Sequence, residues 1–157
     1  MVKRMKDIKT FEDLKRMEKN GEYRLISDID CGNRPIPCLL GDFKGKLDGG
    51  GHTLKNLNVS EDNIFTDGQP IALFYTMNKA CVKNLNIDGI QVNVAKSAYR
   101  VNRAVMCVNA SDCVFENVTV KLNCNEKLVK IPFVYDANNC EFEGVKISGN
   151  MILAKYK

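Results

Sequence analysis

Tryptophan is absent from this chain, and His52 is its only histidine. A single imidazole leaves little room for a histidine-rich metal site. None of the seven cysteines stands in a Cys-x-x-Cys pair, so a zinc ribbon or finger is not expected. An odd cysteine count also cannot pair completely within one chain. No apolar run approaches the ~20 residues needed to cross a bilayer. The basic start, Met1-Val2-Lys3-Arg4-Met5-Lys6, is not followed by the apolar stretch of a secretory signal. Unpaired thiols without a signal predict a reducing, cytoplasmic setting. The excess of one charge sign is also small. A formal net charge of +4 permits an acidic partner and argues against a negatively charged mimic of DNA.

What is present suits one ordered domain over residues 1–157. Apolar residues make up 45% and charged residues 27%, a balance that buries a core rather than staying disordered. The first periodic segment is helical. Thr10 is a good N-cap, Asp13 stands three residues on, and Phe11, Leu14 and Met17 fall on one stripe. Asn20-Gly21 is a stop signal, so a helix over 10–19 is predicted. From Tyr23 the period changes to two, and short strand patterns continue to the end.

The centre of the pattern is Phe43–Val59, a glycine-packed corner between two apolar segments. Its last six residues, Leu54-Lys55-Asn56-Leu57-Asn58-Val59, recur as Val82–Ile87, Phe115–Val120 and Phe142–Ile147, at offsets of 28, 33 and 27 residues. Positions one, four and six are apolar, and position two is charged. Position three is Asn56, Asn84, Asn117 and Gly144. Asn and Gly share tolerance of the left-handed backbone region, and apolar positions three apart break strict alternation. A bend with positive φ at position three accounts for both. A buried amide ladder is the other reading, but Gly144 has no amide to give it.

Each copy has a second apolar segment before it (71–75, 104–108 and 131–135) and a third after it (90–94, 121–124 and 150–153). Three short strands per ~30-residue repeat, with little room for helices, predict stacked coils. The expected columns are Leu57, Leu85, Val118 and Val145, and Val59, Ile87, Val120 and Ile147. The expected fold is all-β: a small right-handed parallel β-helix over 23–157, capped by the 10–19 helix. No comparable cap is evident at 151–157, where Lys155 and Lys157 are the only guard against pairing with another molecule.

Tyr23-x-Leu25-x-x-Asp28-Ile29-Asp30, Phe43-x-Gly45-x-Leu47-Asp48-Gly49-x-Gly51-His52-Thr53-Leu54-x-Asn56-Leu57, Leu73-Phe74 and Val82-x-Asn84-Leu85 together resemble the GLUG-repeat type of right-handed β-helix. The likeness is strongest over 7–95 and weaker over 96–157. It implies the architecture and a structural place for His52 in the corner; it implies no particular activity.

No nucleophile, base and orienting group stand at a spacing that makes a catalytic set, and neither a cofactor nor a metal is expected. Asp48-Gly49-Gly50-Gly51 precedes a strand rather than a helix, which favours a tight turn over a phosphate cradle. Asp28, Asp30, Asp48, Asp62, Asp67, Asp88, Asp112 and Asp136 form no evident catalytic column. Cys81, Cys113 and Cys140, just before their copies, read as small hydrophobes filling a corner. The loop 94–103 carries Lys96, Tyr99, Arg100 and Arg103, and the loop 60–68 carries Ile64 and Phe65. These six residues are the expected partner-binding set, since Arg and aromatic side chains dominate binding hot spots.

The function expected is therefore a non-enzymatic intracellular binding module acting through its faces and inserted loops. A small inhibitor from a phage or mobile element, acting on a host protein complex, is one form of it. The partner expected is a protein, or nucleic acid through the basic loop, with no membrane; self-association through the C-terminal end is a further expectation. The competing class is a carbohydrate-binding or carbohydrate-cleaving β-helix protein.

Overall fold

A computed structural model describes residues 4–60, 71–93, 102–123 and 130–156. Strand β1 (Lys6–Ile8) leads into the short helix α1 (Phe11–Lys15). The chain then makes repeated passes through short strands. The first pass is β2 (Glu22–Leu25), β3 (Ile29–Asp30), β4 (Pro35–Ile36) and β5 (Leu40–Phe43). The second is β6 (Lys46–Asp48), β7 (Thr53–Lys55), β8 (Asn58–Ser60) and β9 (Phe74–Asn78). The third is β10 (Cys81–Asn93) and β11 (Cys107–Ser111), and the fourth is β12 (Val114–Leu122) and β13 (Ile131–Asn138). The described chain closes with β14 (Glu141–Glu143), β15 (Lys146–Ser148) and β16 (Met151–Tyr156).

The architecture is all-β with parallel sheets. One sheet runs β1-β2-β6-β10-β12-β14, and the long β10 also pairs with β7 and β8. The other runs β5-β9-β11-β13-β16. Parallel neighbours normally need a helical crossover. Here the strands of the other sheet make the crossover instead. Both sheets have open edges among the described residues.

The helix is shorter than the apolar stripe predicts. Thr10 caps it through a full capping box with Asp13, yet helix ends at Lys15. The amides of Arg16 and Met17 turn to carbonyls three residues back, and the Glu18 amide donates to the Tyr23 hydroxyl at 2.6 Å. This tightening still delivers Met17, with Phe11 and Leu14, into the core. Each such buried side chain contributes about 1.5–3 kcal/mol before entropy.

Positive φ occurs at every predicted bend: 57° at Asn56, 54° at Asn84, 53° at Asn117 and 65° at Gly144. The side-chain amides do bond from pass to pass, but at the surface rather than as a buried ladder. Asn117 Nδ2 donates to Asn84 Oδ1 at 3.4 Å, and Asn84 Nδ2 donates to Asp48 Oδ1 at 3.3 Å. The first copy, however, sits at a different corner from the others. Leu47 pairs with Val82, and Leu54 pairs with Ile87. The glycine corner at 48–52 is thus two residues longer than its neighbour. Asn56 falls beside Gly89 (φ 80°), not beside Asn84.

The columns change accordingly. Leu85 stacks on Val118, but Leu57 is not in their column; Ile87 stacks on Leu54 and Val120, while Val59 stacks on Val92 and Ile36. The cause is local. Gly49 lies against the backbone of Asn84 and Leu85, so a Cβ there would strike the Asn84 carbonyl. Only glycine lets the longer corner lie flat under the next pass. The segment 150–153 also moves: Met151 pairs with Ile131, which puts β16 in the second sheet rather than level with 90–94 and 121–124.

Candidate functional site

The loops expected to bind a partner fall mostly outside the described residues; this holds for Ile64, Phe65, Lys96, Tyr99 and Arg100. Arg103 is described. It makes a parallel bridge with Ile71 and is half-buried, at the start of the segment leading to β11. Two residues on, Val105 is fully buried. Arg103 therefore sits where the chain passes from loop to core.

His52 takes the structural place that its corner implies. Its Nδ1 lies 3.3 Å from Asp28 Oδ1, which also accepts the Thr53 amide at 2.9 Å. These contacts, the Thr53 amide foremost, hold the Asp28 carboxyl below its ordinary range. The pair joins two passes of the chain across the glycine corner.

Sequence reasoning missed a polar trough beside that corner. It encloses about 640 Å³ and is lined by Asp48, Gly50, Gly51, Asn84, Asn86, Asn117, Thr119, Gly144 and Lys146. The signal for it was present in the repeat. Position three supplies Asn84, Asn117 and Gly144, and polar position five supplies Asn86, Thr119 and Lys146. The trough has one carboxylate and no aromatic ring in its lining. Glycoside hydrolysis ordinarily needs two carboxylates flanking the bond. A smaller hollow of about 280 Å³ lies over β11 and β13, lined by Asn109, Ser111, Asp136 and Asn138 with two alanines. Nearby, the Tyr135 and Tyr156 rings meet edge to face at 5.7 Å, and Lys155 Nζ lies 5.1 Å from the Tyr135 ring centre.

Outward charged side chains, half-buried or exposed, are ordered in files by the parallel register. One file reads Asp7, Arg24, Asp48, Lys83, Glu116, Glu143. A second reads Asp30, Lys55, Asp88, Lys121. Signs alternate from pass to pass in both, except at the Glu116–Glu143 step. Opposite charges facing across strands contribute roughly 0.2–1 kcal/mol, and like charges destabilise. Arg24 and Asp7 close to 2.7 Å.

The corner cysteines Cys113 and Cys140 pack against or within the core, with one change of place. Ala80, not Cys81, precedes Cys113 and Cys140 in the corner column, because Cys81 pairs with Val114. Burial pushes the Cys113 thiol up to about 11 and the Cys31 thiol up to about 12. Such thiols are poor nucleophiles at neutral pH. Among the described residues, no three His, Cys, Asp or Glu side chains come together as metal ligands would. No described helix is long and apolar enough to cross a membrane. Comparison with known proteins adds no relative: no family model matches the chain, and no curated protein or solved structure matches it.

Proposed function

We propose that the chain is a small right-handed parallel β-helix, capped at its N-terminal end by α1, that acts as a non-enzymatic binding module for a macromolecule. Parallel pairing throughout, left-handed corner residues in register and the GLUG-like corner support the architecture. The observation that carries the function is the ordering of exposed side chains into charged and hydrogen-bonding files along the stack. A rigid, patterned outer surface is what a binding module offers a partner. Catalysis needs groups converging on one reacting atom, whereas His52 is tied to Asp28 and the polar trough has a single carboxylate. The partner is a protein, engaged by the basic loop 94–103 together with the loop that holds Ile64 and Phe65.

The test is affinity capture from a host lysate with the native chain and with an Arg100→Glu/Arg103→Glu variant. The expected result is a protein retained by the native chain and released by the variant, with thermal melting unchanged. Equal capture by both would reject the loop. A carbohydrate reading has one observation in its favour, the amide- and hydroxyl-lined trough. Binding to a glycan array that disappears in Asn86→Leu/Thr119→Val, with no protein captured, would replace the proposal with that one.

A further inference from the structure

The last charged step points to a second surface, distinct from the basic loop. β14 pairs with β12 along one side only: Val114 with Glu141, Phe115 with Phe142, and Glu116 with Glu143. Among the described residues no strand lies on its other side. An uncovered edge presents a row of N–H and C=O groups ready to pair with another strand.

Two features say what that strand must carry. The first is charge. The file Asp7, Arg24, Asp48, Lys83, Glu116 alternates in sign and then repeats it at Glu143. Glu141 stands two residues away, so the edge shows a glutamate on each side of Phe142, both exposed. A basic residue on a further strand would lie about 4.8 Å above each of them, resuming the alternation over Glu143 and pairing the uncompensated Glu141, which stacks on Val114. The second is the ring between them. Phe142 stacks on Phe115 at 5.3 Å with planes 15° apart, and meets Phe133 edge to face at 6.3 Å. Phe115 and Phe133 are fully buried, whereas Phe142, Val145 and Ile147 are only half-covered. An apolar residue over Phe142 would cover its open side.

We propose that the free edge of β14, continued round Gly144 to β15, binds an extended peptide segment of the pattern basic–apolar–basic–Asn/Gly–apolar–polar–apolar. The pattern follows position by position. Basic residues face Glu141 and Glu143, and the first apolar residue covers Phe142. The Asn or Gly takes the left-handed bend over Gly144 (φ 65°), and the last two apolar residues cover Val145 and Ile147.

The probe is a fluorescein-labelled peptide, Lys-Val-Lys-Asn-Leu-Asn-Ile, titrated into the full chain by anisotropy. A control peptide carries Glu in place of both Lys. The native chain is expected to bind the basic peptide at least about tenfold more tightly than the acidic one, since each Glu of the control would face a glutamate of the edge. In Glu141→Lys/Glu143→Lys the preference should reverse. That reversal separates recognition from misfolding, because an unfolded variant would bind neither peptide selectively. Equal binding of both peptides to the native chain, or no saturable binding, overturns the proposal without needing a variant. A dimer by light scattering that the double substitution abolishes, with no peptide binding, would assign the edge to a second copy and also overturn it. Neither outcome bears on the basic loop.

Discussion

Seven described non-glycine residues hold positive φ: Asn33, Asn56, Lys79, Asn84, Asp112, Asn117 and Asn139. Five are asparagines, the residue type that visits this region most readily after glycine. Their role is to turn the chain at a corner, and several side-chain amides then reach back to the previous pass, as Asn139 Nδ2 does to Asp112 Oδ1 at 2.6 Å. Asn117→Ala is expected to cost about 1–2 kcal/mol in chemical denaturation, because a Cβ without a local hydrogen bond must sit at φ 53°. Asn117→Gly should cost less, since it keeps the backbone and loses only the bond to Asn84. If Gly costs as much as Ala, the lost amide bond, common to both, rather than the bend holds this corner. Three of the bends were legible at this scale because Asn and Gly occupy the same repeat position. Lys79 was not, since lysine carries no preference for the left-handed region; its amide instead donates to the Ser111 carbonyl at 2.9 Å.

At the scale of elements, α1 was legible in kind and not in length. Its stripe of Phe11, Leu14 and Met17 is buried as the spacing implies, yet Met17 arrives by a tightened turn after the helix has stopped. Tertiary burial, not helix propensity, decides where the last apolar residue goes. The capping box of Thr10 and Asp13 is then a large part of what holds five helical residues together. Thr10→Ala should destabilise the chain by about 1 kcal/mol, read as a lower denaturation midpoint with an unchanged slope. No change in midpoint would mean that burial of Phe11 and Leu14 alone holds α1. The strands behave similarly. β10 reads as two segments in sequence but runs unbroken for 13 residues through bends at Asn84 and Gly89. Its neighbours on the previous pass, β6, β7 and β8, are three separate strands. The longer glycine corner breaks the earlier pass, and nothing comparable interrupts the later one.

Across the whole molecule, several surface carboxylates titrate below their ordinary range. Asp28 is lowered mainly by the Thr53 amide, Asp30 by the Asn56 side chain, and Asp13 by the Lys9 amide. A lowered folded pKa means stability that is fully present above the ordinary carboxylate range of about 4 and is lost as pH falls through the folded values. Thermal melting should therefore fall steadily as the pH drops from about 5 to about 3. Asp28→Asn should flatten part of that slope, and an identical slope would remove Asp28 from the account.

The repeat, the parallel all-β class and the αL corners could be read from residue order alone, because each depends on local backbone preference or on alternation; the contact of His52 with Asp28 joins two passes and could not. The register of copies two to four followed from the repeat as well, but that of the first copy could not be read there. A two-residue difference at 48–52 moves the first copy to another corner, and only the close approach of Gly49 to Asn84 and Leu85 reveals it. The place of Asp48 in the charge file, and of Asp48, Gly50 and Gly51 beside the trough, depends on that register. The trough and the charge files exist only once residues far apart in the chain are placed one pass above another. The periodicity of the sequence thus determined what each residue could do for the backbone. Which side chains became neighbours, and so which surfaces are available for binding, was decided by how the passes stacked.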